Sequence, residues 1–179
     1  TVNPSRKHLV LLGAGRAHLQ VLKSLARQGT GDMNVTLVAP HPYYIESAML
    51  PGYVAGDYVL EDLRIALDGL VEASGAHFVP AHVISLDPTG RRVQLSSGDA
   101  VPYDVLSVNV EPAVDRDAVE AVMPGARRNA LFTRPLETFV QLWPQLQALA
   151  RERALQVAVV GDGVPAVKLA MAVAHALAT

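Results

Sequence analysis

Residues 8–12, His8-Leu9-Val10-Leu11-Leu12, run straight into Gly13-Ala14-Gly15, and the periodicity changes after that turn. A short apolar run of this kind suits a strand buried on both faces, as in a parallel sheet. From 16 to 28, Ala17, Val21, Leu22, Leu25 and Ala26 follow helical spacing, and Gly29 stands where such a helix ends. Val35-Thr36-Leu37-Val38 is then a second, β-branched strand. Strand, helix and strand within about thirty residues form a βαβ unit, which requires parallel pairing and a right-handed crossover.

The rest of the chain extends this plan. Residues 39–58 are a long aperiodic connection rich in Pro, Gly and Tyr, and its apolar content argues for function over disorder. Residues 60–74 are predicted as one amphipathic helix carrying Leu63, Ile65, Ala66, Leu67, Leu70 and Val71, stopped by Gly75. Residues 78–103 read as an antiparallel meander with turns at Asp87-Pro88-Thr89-Gly90 and Ser96-Ser97-Gly98-Asp99, and 104–110 as another buried parallel-type strand. After a loop over 112–129, a short strand is expected at 131–133. A helix is expected at 135–153, with Pro135 at its first position and a kink or restart at Pro144. A strand at 156–160, the turn Gly161-Asp162-Gly163 and an Ala-rich helix to Ala178 repeat the opening pattern. The fold class expected is therefore α/β, in three layers: helices, a parallel sheet and an antiparallel meander. Residues 1–150 form one domain, and 151–179 begin a second that a longer protein would complete.

The glycine turn has a chemical rationale. Gly13 permits the tight turn, Gly15 lets backbone approach a pyrophosphate, and the helix N-terminus behind them offers N–H groups and a partial positive charge. His18 occupies the place of a third glycine. The acidic residue that commonly holds a ribose at the end of the second strand is absent: that end reads Ala39-Pro40-His41, which leaves ribose contacts to backbone groups or His41. At the second turn, Gly161 and Gly163 could bind phosphate or serve packing. Pro165 removes an amide donor there, and Asp162 sets a carboxylate beside the turn.

Composition excludes several classes. With no cysteine there is no disulfide, thiolate zinc site or iron–sulfur cluster within these residues. The six histidines show no ligand spacing, so no metal is expected. A net charge of −2 and 5% aromatics argue against a nucleic-acid partner. The longest apolar stretch, 164–178, contains Pro165, Lys168 and His175 and falls short of a membrane span. The apolar run behind Arg6-Lys7 breaks at Gly13, too soon for a signal peptide, and a cytoplasmic location is expected, with peripheral membrane association left open. No arrangement of nucleophile and base or of paired carboxylates singles out a catalytic residue.

Two strand–glycine turn–helix units with a meander between them resemble the FAD-dependent pyridine nucleotide-disulfide oxidoreductase superfamily. The chain is most similar to its type II NADH dehydrogenase-like and sulfide:quinone reductase-like branch, and within that to a subgroup sometimes fused to selenide, water dikinase. Residues 9–22, LVLLGAGRAHLQVL, are similar to that subgroup's GGGHAHLxVL, and residues 47–56, SAMLPGYVAG, to its SGMLPGxxAG. Residues 103–107 and 133–136 are similar to two further landmarks.

Carried over residue by residue, the resemblance implies FAD across the first domain. Gly13, Gly15, Arg16 and Ala17 would face the pyrophosphate, Ala39 and Pro40 the adenosine ribose, and Val83 the adenine. Ser47, Met49 and Leu50 would lie toward the isoalloxazine. Asn109 and Val110 would approach the cofactor at the end of the strand after the meander, while Gly161 and Gly163 would meet NAD(P)H. The implied activity takes hydride from NAD(P)H and passes electrons to a quinone-like acceptor.

Departures cluster at the same places: Arg16 for a His, Ala48 for a Gly, Asn109-Val110-Glu111 for Asp-Ile-Gly, Pro165 in the second turn, and Lys168 for a Glu. They motivate an alternative, a nucleotide-binding or interaction module that keeps the fold without a cofactor. The family closes its FAD domain with a segment that returns after the NAD domain. Residues 1–179 as they stand are thus expected to hold no FAD, and the last strand and helix to dock on the first domain or on a second copy, giving a homodimer.

Overall fold

A computed structural model describes residues 6–178. They divide into two compact units, one comprising residues up to 44 and 66–111, the other 45–65 and 112 onward.

The first unit is the α/β part. Strands β1 (Lys7–Leu12), β2 (Met33–Ala39), β5 (His77–Pro80) and β9 (Val105–Val108) form a parallel sheet in the order β5-β2-β1-β9. The apolar run of β1 serves both faces of this sheet, because side chains alternate along a strand. Leu11 joins Val35 and Leu37 of β2 under helix α1 (Arg16–Gln28), through Leu19 and Leu22, and under helix α4 (Asp68–Ser74), through Val71. Val10 and Leu12 face the other way, with Val38, onto Val93 and Leu95. Those two belong to β7 (Arg92–Leu95), the middle strand of an antiparallel sheet with β6 (Val83–Asp87) and β8 (Ala100–Pro102). The expected three layers are present. Full burial of one such leucine contributes about 1.5–3 kcal/mol, and the sheet collects it on both sides.

The meander turns form as their sequences require. The Asp87 carboxylate accepts the N–H groups of Thr89 and Gly90 at 3.0 and 2.9 Å, and Gly98 takes a left-handed φ of 92°. At the other end of β1, the His8 N–H donates to the Asp104 carboxylate at 2.7 Å, and the His8 imidazole pairs with the buried Thr36 hydroxyl at 2.8 Å. That histidine is thereby a satisfied member of the core.

The predicted helix over 60–74 is three pieces: helix α3 (Leu60–Leu63), strand β4 (Arg64–Ala66) and α4. Strand β4 pairs with β3 (Tyr43–Ile45) as a separate two-stranded sheet. The helical ladder is interrupted because its groups bond elsewhere. The Leu63 carbonyl accepts the Glu46 N–H at 2.9 Å, and the Leu67 N–H donates to the Pro42 carbonyl at 3.0 Å. Leu63 and Leu67 are both fully buried, but in different units, which one continuous helix could not achieve.

The second unit is helical. It holds a 3-10 turn at Ser47–Met49 and the helices α2 (Leu50–Ala55), α3, α5 (Arg116–Val122), α6 (Ala126–Asn129), α7 (Leu136–Glu152) and α8 (Gly163–Ala178). The 112–129 segment read as loop thus carries two short helices. No strand forms at 131–133, where Phe132 instead lies under the Arg116 guanidinium at 5.2 Å. Helix α8 packs on α2 and α7 and buries Ala172 and Val173, while Val164, Val167 and Met171 stay exposed, so of the strand and helix expected to dock only the helix does so, and by part of its apolar surface.

The strand expected at 156–160 is absent. A parallel strand needs a neighbour for its backbone groups, and no strand of the second unit pairs with this segment, so Val157, Val159 and Val160 are exposed. Among the described residues no helix is long and apolar enough to cross a membrane.

Helix α7 runs through Pro144 without restarting. Proline has no N–H, so the carbonyl of Val140, four residues earlier, loses its helical donor. The Tyr53 hydroxyl of α2 donates to that carbonyl at 2.9 Å. Trp143 is stacked on Phe139 beside it and buried.

Candidate functional site

The order β5-β2-β1-β9 places the topological switch between β1 and β9, where the chain leaves β1 for α1 on one face of the sheet. In open α/β sheets, ligands bind outside the carboxyl ends of the strands at this point. Gly13, Gly15, Asn109 and Val110 converge here. Gly13 has a φ of +85°, which demands glycine, and its N–H donates to the Val38 carbonyl at 2.8 Å. The Asn109 N–H donates to the Leu12 carbonyl at 2.8 Å, so the chain beyond β9 stays pinned beside the turn.

Helix α1 begins after Gly15 with no side-chain cap and no acidic residue in its first turn, which is formed by Arg16 and Ala17. Its partial positive charge therefore meets no carboxylate from its own first turn. A backbone cradle of this kind fits a pyrophosphate. Both glycines, however, also face this chain's own atoms. A Cβ on Gly13 would meet the Asn109 carbonyl, and one on Gly15 would meet the Asn109 side-chain amide, with Cγ 2.6 Å away. The Asn109 Oδ1 atom is buried and accepts no hydrogen bond.

His18 holds the turn from behind. It is buried, its Nδ1–H donates to the Gly13 carbonyl at 2.6 Å, and its Nε2 accepts the Ser107 hydroxyl of β9 at 2.8 Å. Desolvation lowers its pKa below 6.5 and outweighs the bond to Gly13, so it sits neutral at pH 7. The residue in place of a third glycine is thus a bracket between turn and sheet. The sequence signal was its position one turn into α1, but nothing local pointed to Ser107.

At the carboxyl end of β2, Ala39 is buried and Pro40 exposed. The Ala81 N–H donates to the Ala39 carbonyl at 3.2 Å, and His41 stacks on Tyr43 with ring centroids 5.2 Å apart. His82 approaches His41 edge-on at 6.5 Å. Imidazole and phenol rings thus stand where an acidic ribose ligand is common. Val83 is half-buried at the start of β6.

The remaining candidates lie in the second unit. Ser47 and Met49 are half-buried in the 3-10 turn, within which the Ala48 N–H donates to the Glu46 carboxylate at 3.2 Å, and Leu50 is buried at the start of α2. Gly161 and Gly163 are exposed on the approach to α8, with Pro165 in its first turn and no strand in front.

The α/β unit is a Rossmann-like fold of the FAD- and NAD-binding kind. The chain's relatives are type II NADH:quinone oxidoreductases, and its structural neighbours are sulfide:quinone and NADH oxidoreductases of the FAD pyridine nucleotide-disulfide oxidoreductase family, as the resemblance implied. It is 33% identical over 139 residues to the type II NADH:quinone oxidoreductase of Staphylococcus epidermidis, covering 76% of this chain and 34% of that protein. The sulfide:quinone oxidoreductase of Aquifex aeolicus superposes with a TM-score of 0.66 at 23% identity, over 81% of this chain and 32% of that one. A NAD-dependent persulfide reductase from A. fulgidus superposes with a TM-score of 0.72 at 18% identity, over 94% and 32%. No family model matches the chain. The chain spans between a quarter and a third of the curated relatives' lengths.

Proposed function

We propose that this chain supplies the dinucleotide-binding part of an FAD-dependent oxidoreductase that takes hydride from NAD(P)H and passes electrons to a quinone-like acceptor. The observation that carries this reading is the glycine turn at the switch point, opening an uncapped helix that has no acid in its first turn. The relatives' names add the nicotinamide donor and quinone acceptor. Backbone N–H groups around Gly13, Gly15, Arg16 and Ala17 would bind the pyrophosphate. Ala39 and Pro40 would border the ribose, Val83 the adenine, Ser47, Met49 and Leu50 the ring system, and Gly161 and Gly163 the nicotinamide nucleotide.

When bound, a flavin supplies the two-electron chemistry, while the protein supplies position and electrostatics. The contribution of this chain is orientation: the His18 bracket fixes the turn through hydrogen bonds of a neutral imidazole.

A second reading, a nucleotide-binding module without turnover, is favoured by one observation: the Asn109 amide covers Gly15. Calorimetric titration of the full-length protein with FAD, NADH and ADP separates the two. Micromolar or tighter FAD binding supports the oxidoreductase reading. Binding of ADP with no response to FAD would replace it with the module.

A further inference from the structure

We propose that the Asn109 side chain is a self-occupying gate on the glycine turn, and that a dinucleotide seats its pyrophosphate only when this side chain rotates away. The proposal rests on reading the turn as a dinucleotide site and adds what controls access to it. The second glycine of such a turn lacks a side chain so that a pyrophosphate can come close to backbone. Here the space that a Gly15 side chain would fill holds the amide of Asn109, through Oδ1 and Cγ. The closed site and the vacated glycine position are the same volume.

Three further features make the amide the moving part. Its Oδ1 is buried with no donor, a state that costs free energy and that rotation toward water relieves. An acceptor oxygen beside phosphate oxygens is repulsive, so amide and anion cannot share the seat in this orientation. The surrounding backbone is held in place. The Asn109 N–H is bonded to Leu12, the Gly13 N–H to Val38, and the Gly13 carbonyl to His18, which Ser107 also holds. Only side-chain rotation opens the seat without breaking one of these bonds. Removing the amide should therefore convert a site that is mostly closed into one that is open.

The test is Asn109→Ala in the full-length protein, titrated calorimetrically with FAD, ADP and AMP beside the full-length parent, with circular dichroism to establish folding. Asn109→Ser serves as a second variant that retains a short polar group. The expected result is about tenfold tighter binding of FAD and ADP by the alanine variant, as for a site whose open state is about a tenth of the population. AMP, which has no pyrophosphate, should bind equally to both. A folded variant that binds FAD no tighter than the parent overturns the gate and leaves the site reading intact. Equal tightening of AMP also overturns it, because a general loosening of the turn would then be the cause. If neither parent nor variants bind FAD or ADP, the dinucleotide reading itself fails, and the gate with it.

Discussion

Replacing Tyr53 with Phe removes one oxygen and tests whether the second unit depends on a bond that Pro144 makes necessary. The Val140 carbonyl lies in a residue that is 2% exposed, and its helical donor is missing because residue 144 is proline. The Tyr53 hydroxyl, at 2.9 Å, is its donor. Burial, with a smaller contribution from Glu61, raises the Tyr53 pKa above 10, so the phenol keeps its proton at neutral pH. Deleting the hydroxyl strands a buried carbonyl, which costs about 1–3 kcal/mol, while leaving almost no cavity.

In a Pro144→Ala background the helix recovers its own N–H for Val140, and Tyr53→Phe should cost no more than about 0.5 kcal/mol. The coupling between the two positions should thus be about 0.5–3 kcal/mol. The chain has one tryptophan, Trp143, buried in the same turn of α7, so urea denaturation followed by its fluorescence reads this unit directly. Equal costs of Tyr53→Phe in the two backgrounds would refute the reasoning, and would mean that the Val140 carbonyl is satisfied in another way.

Other perturbations should separate the roles at the glycine turn. Gly13→Ala should destabilise by more than about 1 kcal/mol, measured by thermal melting, and Asn109→Ala should not rescue it, because the φ of +85° and the Asn109 backbone both oppose it. Gly15→Ala should cost about 1–3 kcal/mol and be partly rescued by Asn109→Ala, which removes the side-chain part of its collision. Ser107→Ala should cost about 1 kcal/mol by loss of the bond to His18, read from the urea midpoint. His8 and His18 both have folded pKa values lowered below 6.5, chiefly by desolvation. Between the folded values and 6.5 the unfolded chain binds more protons, so stability is fully present above pH 6.5 and declines as pH falls below it. Urea midpoints at about pH 7.5 and about pH 5 should show this, and His18→Gln should shrink the difference. A midpoint independent of pH across that range would contradict the assignment.

Much of the first unit was legible because its determinants are local. The both-face apolar run of residues 9–12, the helical spacing through Leu22, the glycines that end helices and the Asp87 turn each act within a few residues. They produced the three-layer architecture and the candidate turn. The second unit was less legible. An apolar run such as 156–160 reads as a strand, but a strand exists only where another offers its backbone groups, and the same residues are unpaired here. The stripe through Leu63 and Leu67 was real, yet the two leucines serve different cores, so the helix breaks between them.

The sequence by itself determined where the chain turns, which residues must be glycine for backbone reasons, and which strand could lie at the centre of a parallel sheet. These follow from sterics and solvation, which act on neighbours in the chain. Tertiary structure alone decided that His18 meets Ser107 across 89 residues, that Tyr53 supplies what Pro144 withholds across 87, and that Asn109 covers Gly15. Hydrogen bonds and close contacts are specific to within fractions of an ångström, and hydrophobic pattern and turn propensity do not encode which distant atoms will meet at that distance.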